Sequence, residues 1–273
     1  VLERRVLTAL VLGGTAVAFV LSGSAVAFTL LTGLVVLLAA WEWAGLSGFK
    51  SPWQRVSWLV VIAAVLSVCY ASRDTPWFRG ILFTGLFWWC CAFIIVVAYQ
   101  RGKAILPPQG LIIAAAGILV LVPAWLSLLT LYAGDGGVWA VMFLFLLIWM
   151  ADSAAFFIGG RWGRHQLAGR ISPGKSWEGV AGGMLLAALP AWGYVILEKL
   201  EGIDIVRVFV LGLVTVGFSV IGDLFESLCK RNARIKDSGR LLPGHGGILD
   251  RIDSLTAAAP VFVTGFNFLG GKL

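Results

Sequence analysis

Long apolar runs alternate along the chain with short polar breaks. Nine runs stand out, at approximately Val6–Leu21, Ala25–Leu46, Val56–Ala71, Ile81–Gln100, Leu111–Ala133, Val138–Ile158, Trp177–Leu197, Val206–Lys230 and Ser254–Leu269. A helix needs about 20 residues to cross the hydrocarbon core of a bilayer, and each run is that long or nearly so. Lipid offers no partner to backbone N–H and C=O groups, so only helices or a closed barrel can span it. Continuous apolarity, in place of ten-residue alternation, excludes the barrel. The pattern predicts an all-α, polytopic integral membrane protein with about nine transmembrane helices. It reads as one membrane domain over 1–273, with N-terminal helices over 1–135 and a second half, 136–273, that carries the polar chemistry.

Composition agrees. Of 273 residues, 59% are hydrophobic and 13% charged, and the mean hydropathy is +0.93. A soluble domain sits near about 45–50% apolar and about 25% charged, so that class is excluded. Disorder is excluded too, because 17 Phe and 13 Trp cannot stay solvated. The four cysteines form no CxxC or zinc spacing and lie within the apolar runs, where they serve packing. The formal charge of +7 comes without a soluble basic domain that could hold nucleic acid. Trp53, Trp77 and Trp177 sit near run ends, as interfacial anchors do.

Basic residues set the orientation. Counting loops alternately from the N-terminus, one side receives 16 Lys and Arg and the other 5, which exhausts the 21 present. This places the N-terminus in the cytoplasm and the C-terminus outside. Arg4 and Arg5 precede an apolar stretch ending in Ser24-Ala25-Val26-Ala27, which resembles a signal-peptide cleavage site. The apolar pattern resumes at once, so a retained first helix is expected.

Acids inside membrane runs are expensive and point to function. Glu42, Asp152, Asp223 and Glu226 are such acids, and the topology puts all four toward the cytoplasmic ends of their helices. Glu178, Asp250 and Asp253 lie at the same level, at helix starts, and the two longest polar loops, Gly159–Ser176 and Arg231–Asp253, are cytoplasmic as well. A transporter more often places such groups near the midplane.

The densest stretch runs from Gly222-Asp223 through Glu226, Ser227, Lys230, Arg231, Lys236 and Asp237 to Pro243-Gly244-His245-Gly246-Gly247 and Asp250-Arg251-Ile252-Asp253. Helical spacing puts Asp223, Ser227 and Lys230 on one face, and Asp250 with Asp253 on another. Three carboxylates beside a cluster of cations suit a polyphosphate with a divalent metal. Carboxylates are hard donors for Mg²⁺, and Lys and Arg cover the remaining phosphate oxygens. Asp223, Asp250 and Asp253 are the expected metal set, and Lys230, Arg231 and Lys236 the expected phosphate-holding set. Gly244, Gly246 and Gly247 permit close backbone approach before a helix N-terminus. His245, among them, is the better functional histidine; His165 lies in a basic loop and reads as solvated.

A second stretch, Ser172-Pro173-Gly174-Lys175-Ser176-Trp177-Glu178-Gly179, completes a literal GxxxxGK[ST] with Gly169. The P-loop reading fails because Gly160–Ala168 is basic and polar where a hydrophobic strand is needed. A phosphate-contacting loop of another kind, with Ser172, Lys175, Ser176 and Glu178 in it, is expected.

The run from Ser227-Leu228-Cys229-Lys230-Arg231 through Lys236-Asp237 and Leu242-Pro243-Gly244-His245-Gly246-Gly247 to Asp250-Arg251-Ile252-Asp253 closely resembles the 27-residue signature of the phosphatidate cytidylyltransferases, the CDP-diacylglycerol synthases. Ala151-Asp152-Ser153-Ala154-Ala155-Phe156 followed by Gly159, and Ser172-Pro173 with Lys175–Gly179, resemble the same family. The resemblance covers about residues 140–273, and the first five runs match only in hydropathy. It implies a Mg²⁺-dependent enzyme, with room for a second cation, that converts CTP and phosphatidate to CDP-diacylglycerol and pyrophosphate. It implies a homodimer in a bacterial cytoplasmic membrane, among membrane lipids, with a polar cavity open to the cytoplasm. It places the acids matching Asp223 and Asp250 at the metal, and Asp152, Ser227 and the glycines beside the substrates. A CDP-alcohol phosphotransferase is the nearest rival, but its Asp-Gly-x-x-Ala-Arg opening and DxxxD are missing, since the chain has Asp250-x-x-Asp253. A polyprenol kinase is a further rival among enzymes. A cation or phospholipid transporter would explain the buried acids but not the dense Lys, Arg and Gly cluster on one side.

Overall fold

The computed structural model describes residues 13–134, 136–241 and 246–268. Residues 13–21 are helical, and the start of the first run lies outside the described residues. The helices that follow are α1 (Ala25–Leu46), α2 (Pro52–Ala71), α3 (Pro76–Gln100), α4 (Leu111–Ala133), α5 (Gly137–Trp162), α6 (Trp177–Leu186), α7 (Ala188–Leu197), α8 (Ile203–Asn232) and α9 (Leu249–Phe268). Two short strands, β1 (Gln166–Ala168) and β2 (Ser172–Ser176), pair antiparallel between α5 and α6. The protein is all-α in its membrane part. Seven apolar helices among the described residues are long enough to cross a bilayer, counting α6 and α7 as one. Large apolar side chains such as Phe87, Phe156, Phe157, Leu185 and Leu189 point outward, where lipid would cover them.

The seventh run is divided into two helices at Ala187. Pro190 sits in the first turn of α7 and has no N–H to give to Leu186, four residues back, so the ladder is interrupted around Ala187. The polar stretch after the sixth run also differs from the simple loop expected over Gly159–Ser176. Helix α5 continues to Trp162, and the β-hairpin follows. Backbone pairing there satisfies polar groups that a loop would leave to water.

Helix α4 is buried over most of its length and forms the centre of the bundle. Buried indoles tie its neighbours to it: the Trp43 Nε1–H of α1 donates to the Ile113 carbonyl (2.7 Å), and Trp125 of α4 donates to Thr32 Oγ1 (3.1 Å). Small residues allow close approach, as is usual where lipid supplies no hydrophobic drive between helices. Gly179 and Gly183 of α6 lie against backbone carbonyls of α5. Gly222 of α8 lies against the Asp253 carbonyl of α9, where a Cβ would come within 2.5 Å. That contact brings the acids of α8 beside those of α9.

Candidate active site

The C-terminal halves of α1, α5 and α8 and the first turns of α9 come together, and each carries acid. Lys230, on the last turns of α8, is the bridge between two of them. Its ammonium lies 2.6 Å from Asp250 Oδ1 and forms an ion pair with Glu226, four residues earlier on the same helix. Asp250 is held through both oxygens. Its Oδ2 accepts from the Gly247 N–H (2.8 Å), the Ser238 N–H (3.0 Å) and the Ser238 hydroxyl (2.9 Å). Burial works to raise the Asp250 carboxyl, but the Lys230 ammonium and these N–H donors outweigh it and hold it below its ordinary value of 3.8. Asp250 lies in the polar first turn of α9, ahead of the apolar run that begins at Ser254.

The loop into α9 is shaped by glycine. Gly246 has φ +80°, and a Cβ there would sit 2.7 Å from Asp250 Oδ2. A Cβ at Gly247 would collide with Ser238 and Glu42. Glu42, on α1, is only 3% exposed. Its Oε1 accepts from the Ile248 N–H (3.1 Å), and its Oε2 accepts from the Leu249 N–H (2.8 Å) and the Ser238 hydroxyl (3.0 Å). The first N–H groups of a helix have no partner within it, and Glu42 supplies one from a helix some two hundred residues away in sequence.

The β-hairpin adds a second lysine. Lys175 of β2 pairs with Asp223 of α8 at 2.5 Å, and Asp223 also accepts from Ser227 one turn on (3.3 Å). Asp152 of α5 lies beside Lys175, Asp223, Ser254 and Arg251. Ser176 caps α6 by accepting from the Gly179 N–H (3.2 Å). Glu178 turns to the hairpin's entry, where it accepts from the N–H groups of Arg164 and His165 and meets His165 Nδ1 at 2.6 Å. The Arg231 Nε–H donates to the Ile171 carbonyl (3.2 Å), fastening the hairpin to α8.

The structure thus brings together Asp152, Lys175, Asp223, Ser227, Lys230, Gly246, Gly247, Asp250 and Asp253. Lys236 is exposed on the loop after α8, and Ser172 opens β2 opposite Ala168. Glu178 is turned to Arg164 and His165 at the hairpin's entry. Gly244 and His245 lie outside the described residues. Glu42, Glu226 and Ser238 were not among the expected site residues. Glu42 and Glu226 carried a signal, as acids within apolar runs; Ser238 carried none.

Among the described residues no three His, Cys, Asp or Glu side chains converge as a metal ion requires; lysines face Asp223 and Asp250 instead. The charge count still suits a cation. Five carboxylates (Asp152, Asp223, Glu226, Asp250 and Asp253) stand among the cations Lys175, Lys230 and Arg251. Glu226 is 2% exposed, and its Oε1 has no hydrogen-bond partner. Hard oxygen donors in excess over cations are the donor type for Mg²⁺.

Fold and site together define a helical membrane protein with its acids and lysines gathered into one cluster. Residues 3–269 match the model of the cytidylyltransferase family, and the chain belongs to that family. It is 41% identical to a phosphatidate cytidylyltransferase of Pseudomonas aeruginosa over 96% of this chain and 95% of that protein. It is 33% identical to one of Haemophilus influenzae over 96% of this chain and 97% of that one. Against one of Brucella suis the identity is 37%, over 94% and 90%.

Proposed function

We infer that the chain transfers CMP from CTP to phosphatidate, giving CDP-diacylglycerol and pyrophosphate. The observation that carries this is the Lys230–Asp250 bridge, built from both ends of the signature stretch and flanked by Asp223 and Lys175. Full-length similarity to phosphatidate cytidylyltransferases supports the substrate pair.

A phosphate oxygen of phosphatidate attacks the α-phosphorus of CTP, a new P–O bond forms, and the bond to the departing pyrophosphate breaks. The attacking oxygen is already anionic near neutral pH, so no strong base is required. The obstacle is the meeting of two polyanions, which preorganised positive charge relieves. Lys175 is held by one carboxylate and can turn to phosphate, and Lys236 is exposed toward solvent. Lys230 and Arg231 are already engaged by protein groups. They fix α9 and the hairpin, and the Arg231 Nη groups and the third N–H of Lys230 are left for phosphate. Gly246 and Gly247 leave room for an anion to approach the backbone ahead of α9, and His245 is proposed as a phosphate-assisting residue from the sequence alone.

Asp223, Asp250 and Asp253, with Glu226 behind them, would hold Mg²⁺, which when bound supplies charge neutralisation and alignment of phosphate oxygens. A site at the ends of helices lets lipid tails remain in the bilayer while the headgroup reaches the acids. We place these ends at the cytoplasmic face of a bacterial inner membrane, with nine spans, the N-terminus inside and the C-terminus outside, from the 16 to 5 basic asymmetry. A homodimer is proposed from the family resemblance. The reaction is tested by supplying CTP labelled at both the α- and γ-phosphates with phosphatidate or with diacylglycerol. Lipid-soluble label is expected with phosphatidate alone, and label with diacylglycerol would point to a kinase or another transferase.

A further inference from the structure

We propose that Glu42 is a positioning residue for cytidylyl transfer, acting from α1 on the loop that presents Asp250. The first helices then do more than anchor the protein in the membrane.

The geometry is specific. Glu42 reaches the signature loop at Ser238, Ile248 and Leu249, through both carboxylate oxygens. The Ser238 hydroxyl lies within hydrogen-bond distance of both Glu42 Oε2 and Asp250 Oδ2, so one side chain links the two acids. Its single proton can serve only one of them at a time, and the Ser238 and Gly247 N–H groups complete the set on Asp250. The absence of side chains at Gly239 and Gly247 opens the space that Glu42 fills, since a Cβ at either would collide with its carboxylate. Three donors aimed at one acceptor-only group define its chemistry. A glutamine in its place keeps the size but turns an NH₂ toward a donor, on the Ile248 side or the Leu249 side. An outer partner that orients an active-site carboxylate typically contributes roughly 10–100-fold to metal affinity or activity.

This rests on the reading of Asp250 as a site residue. The test compares Glu42→Gln, Ser238→Ala and Asp250→Asn in the full-length protein, in detergent–phosphatidate micelles. Ser238→Ala removes the hydroxyl bridge and leaves the Glu42 contacts to Ile248 and Leu249. Expected for Glu42→Gln and Ser238→Ala is a fall in kcat of roughly tenfold or more, a higher half-saturating Mg²⁺ concentration and an unchanged KM for phosphatidate. Mg²⁺ alone should raise their unfolding temperatures less than it raises the parent's. A purely structural role would lower yield and unfolding temperature but leave kcat per folded molecule and the Mg²⁺ response as in the parent, and that result overturns the proposal. If Glu42→Gln does not accumulate as folded protein, Glu42→Asp, which keeps the charge but draws the carboxylate back from Ser238, Ile248 and Leu249, is read in its place by the same readouts. An active Asp250→Asn overturns the reading of Asp250 itself. An inactive Asp250→Asn beside a parent-like Glu42→Gln and Ser238→Ala overturns only the role of Glu42.

Discussion

Replacing Lys230 by Met removes the ammonium that lies between two buried acids. The side chains of Lys230, Glu226 and Asp250 are 14%, 3% and 7% exposed, so water cannot take over the lost contacts. Asp250 keeps its bonds from Ser238 and Gly247, whereas Glu226 loses its ion-pair partner. Removing one member of a buried pair costs about 3–5 kcal/mol, because the other charge is left uncompensated. At about 2–4 °C per kcal/mol for a chain of this order of size, the unfolding temperature should fall by about 6–20 °C. The origin of the loss predicts its cure. Adding Glu226→Leu to Lys230→Met deletes the stranded carboxylate and should recover at least half of the drop, since apolar replacement of a buried pair is often close to neutral. Thermal unfolding in detergent, followed by tryptophan fluorescence, reads both variants. A single variant within about 2 °C of the parent, or a double variant no more stable than the single, would refute the picture of Lys230 as the buried bridge between α8 and α9.

Further outcomes follow from the same geometry. Gly247→Ala forces a Cβ onto Ser238 and Glu42 and should lose most activity while the bundle still folds; parent-like turnover would mean that the loop into α9 has slack. Because Asp250 is held below its ordinary value of 3.8, its contribution to stability is fully present above that pH and is lost as pH falls through the lowered value. The gap in unfolding temperature between the parent and Asp250→Asn should therefore be flat from pH 5 to 8, and a gap that closes near pH 6 would contradict this. Cysteines introduced at Ser22–Ser24 and within Gly160–Arg170 should label from opposite faces of the membrane; labelling from one face would break the nine-span topology.

The helices were legible because membrane spanning leaves few solutions to a long apolar run. Ala25–Leu46 and Leu111–Ala133 end where their apolarity ends. α2 starts four residues before its apolar run, because Pro52 is well suited to a first helical position and the polar Gln54 and Arg55 continue the helix outward. The hairpin was not legible, since Ser172-Pro173-Gly174-Lys175-Ser176 has neither alternation nor β-branched residues, and its pairing depends on Arg231 and α6 around it. At the site, Asp223, Asp250, Lys230 and Lys175 could be read from charge density in the sequence. The partner choice could not. Spacing suggested Lys230 near Asp223, whereas the ammonium turns to Glu226 and Asp250. Glu42 stood out as an acid in lipid, but no local pattern tells that its partners lie at Ser238, Ile248 and Leu249.

In cytidylyl transfer the α-phosphate of CTP, and no other, passes to phosphatidate. Purified protein in phosphatidate-containing vesicles with Mg²⁺, given CTP labelled at the α- or the γ-phosphate, tests it directly. The α-label is expected to become lipid-soluble while the γ-label leaves as pyrophosphate, one for one. Lipid-soluble γ-label, or no transfer of α-label at saturating CTP and Mg²⁺, would contradict it.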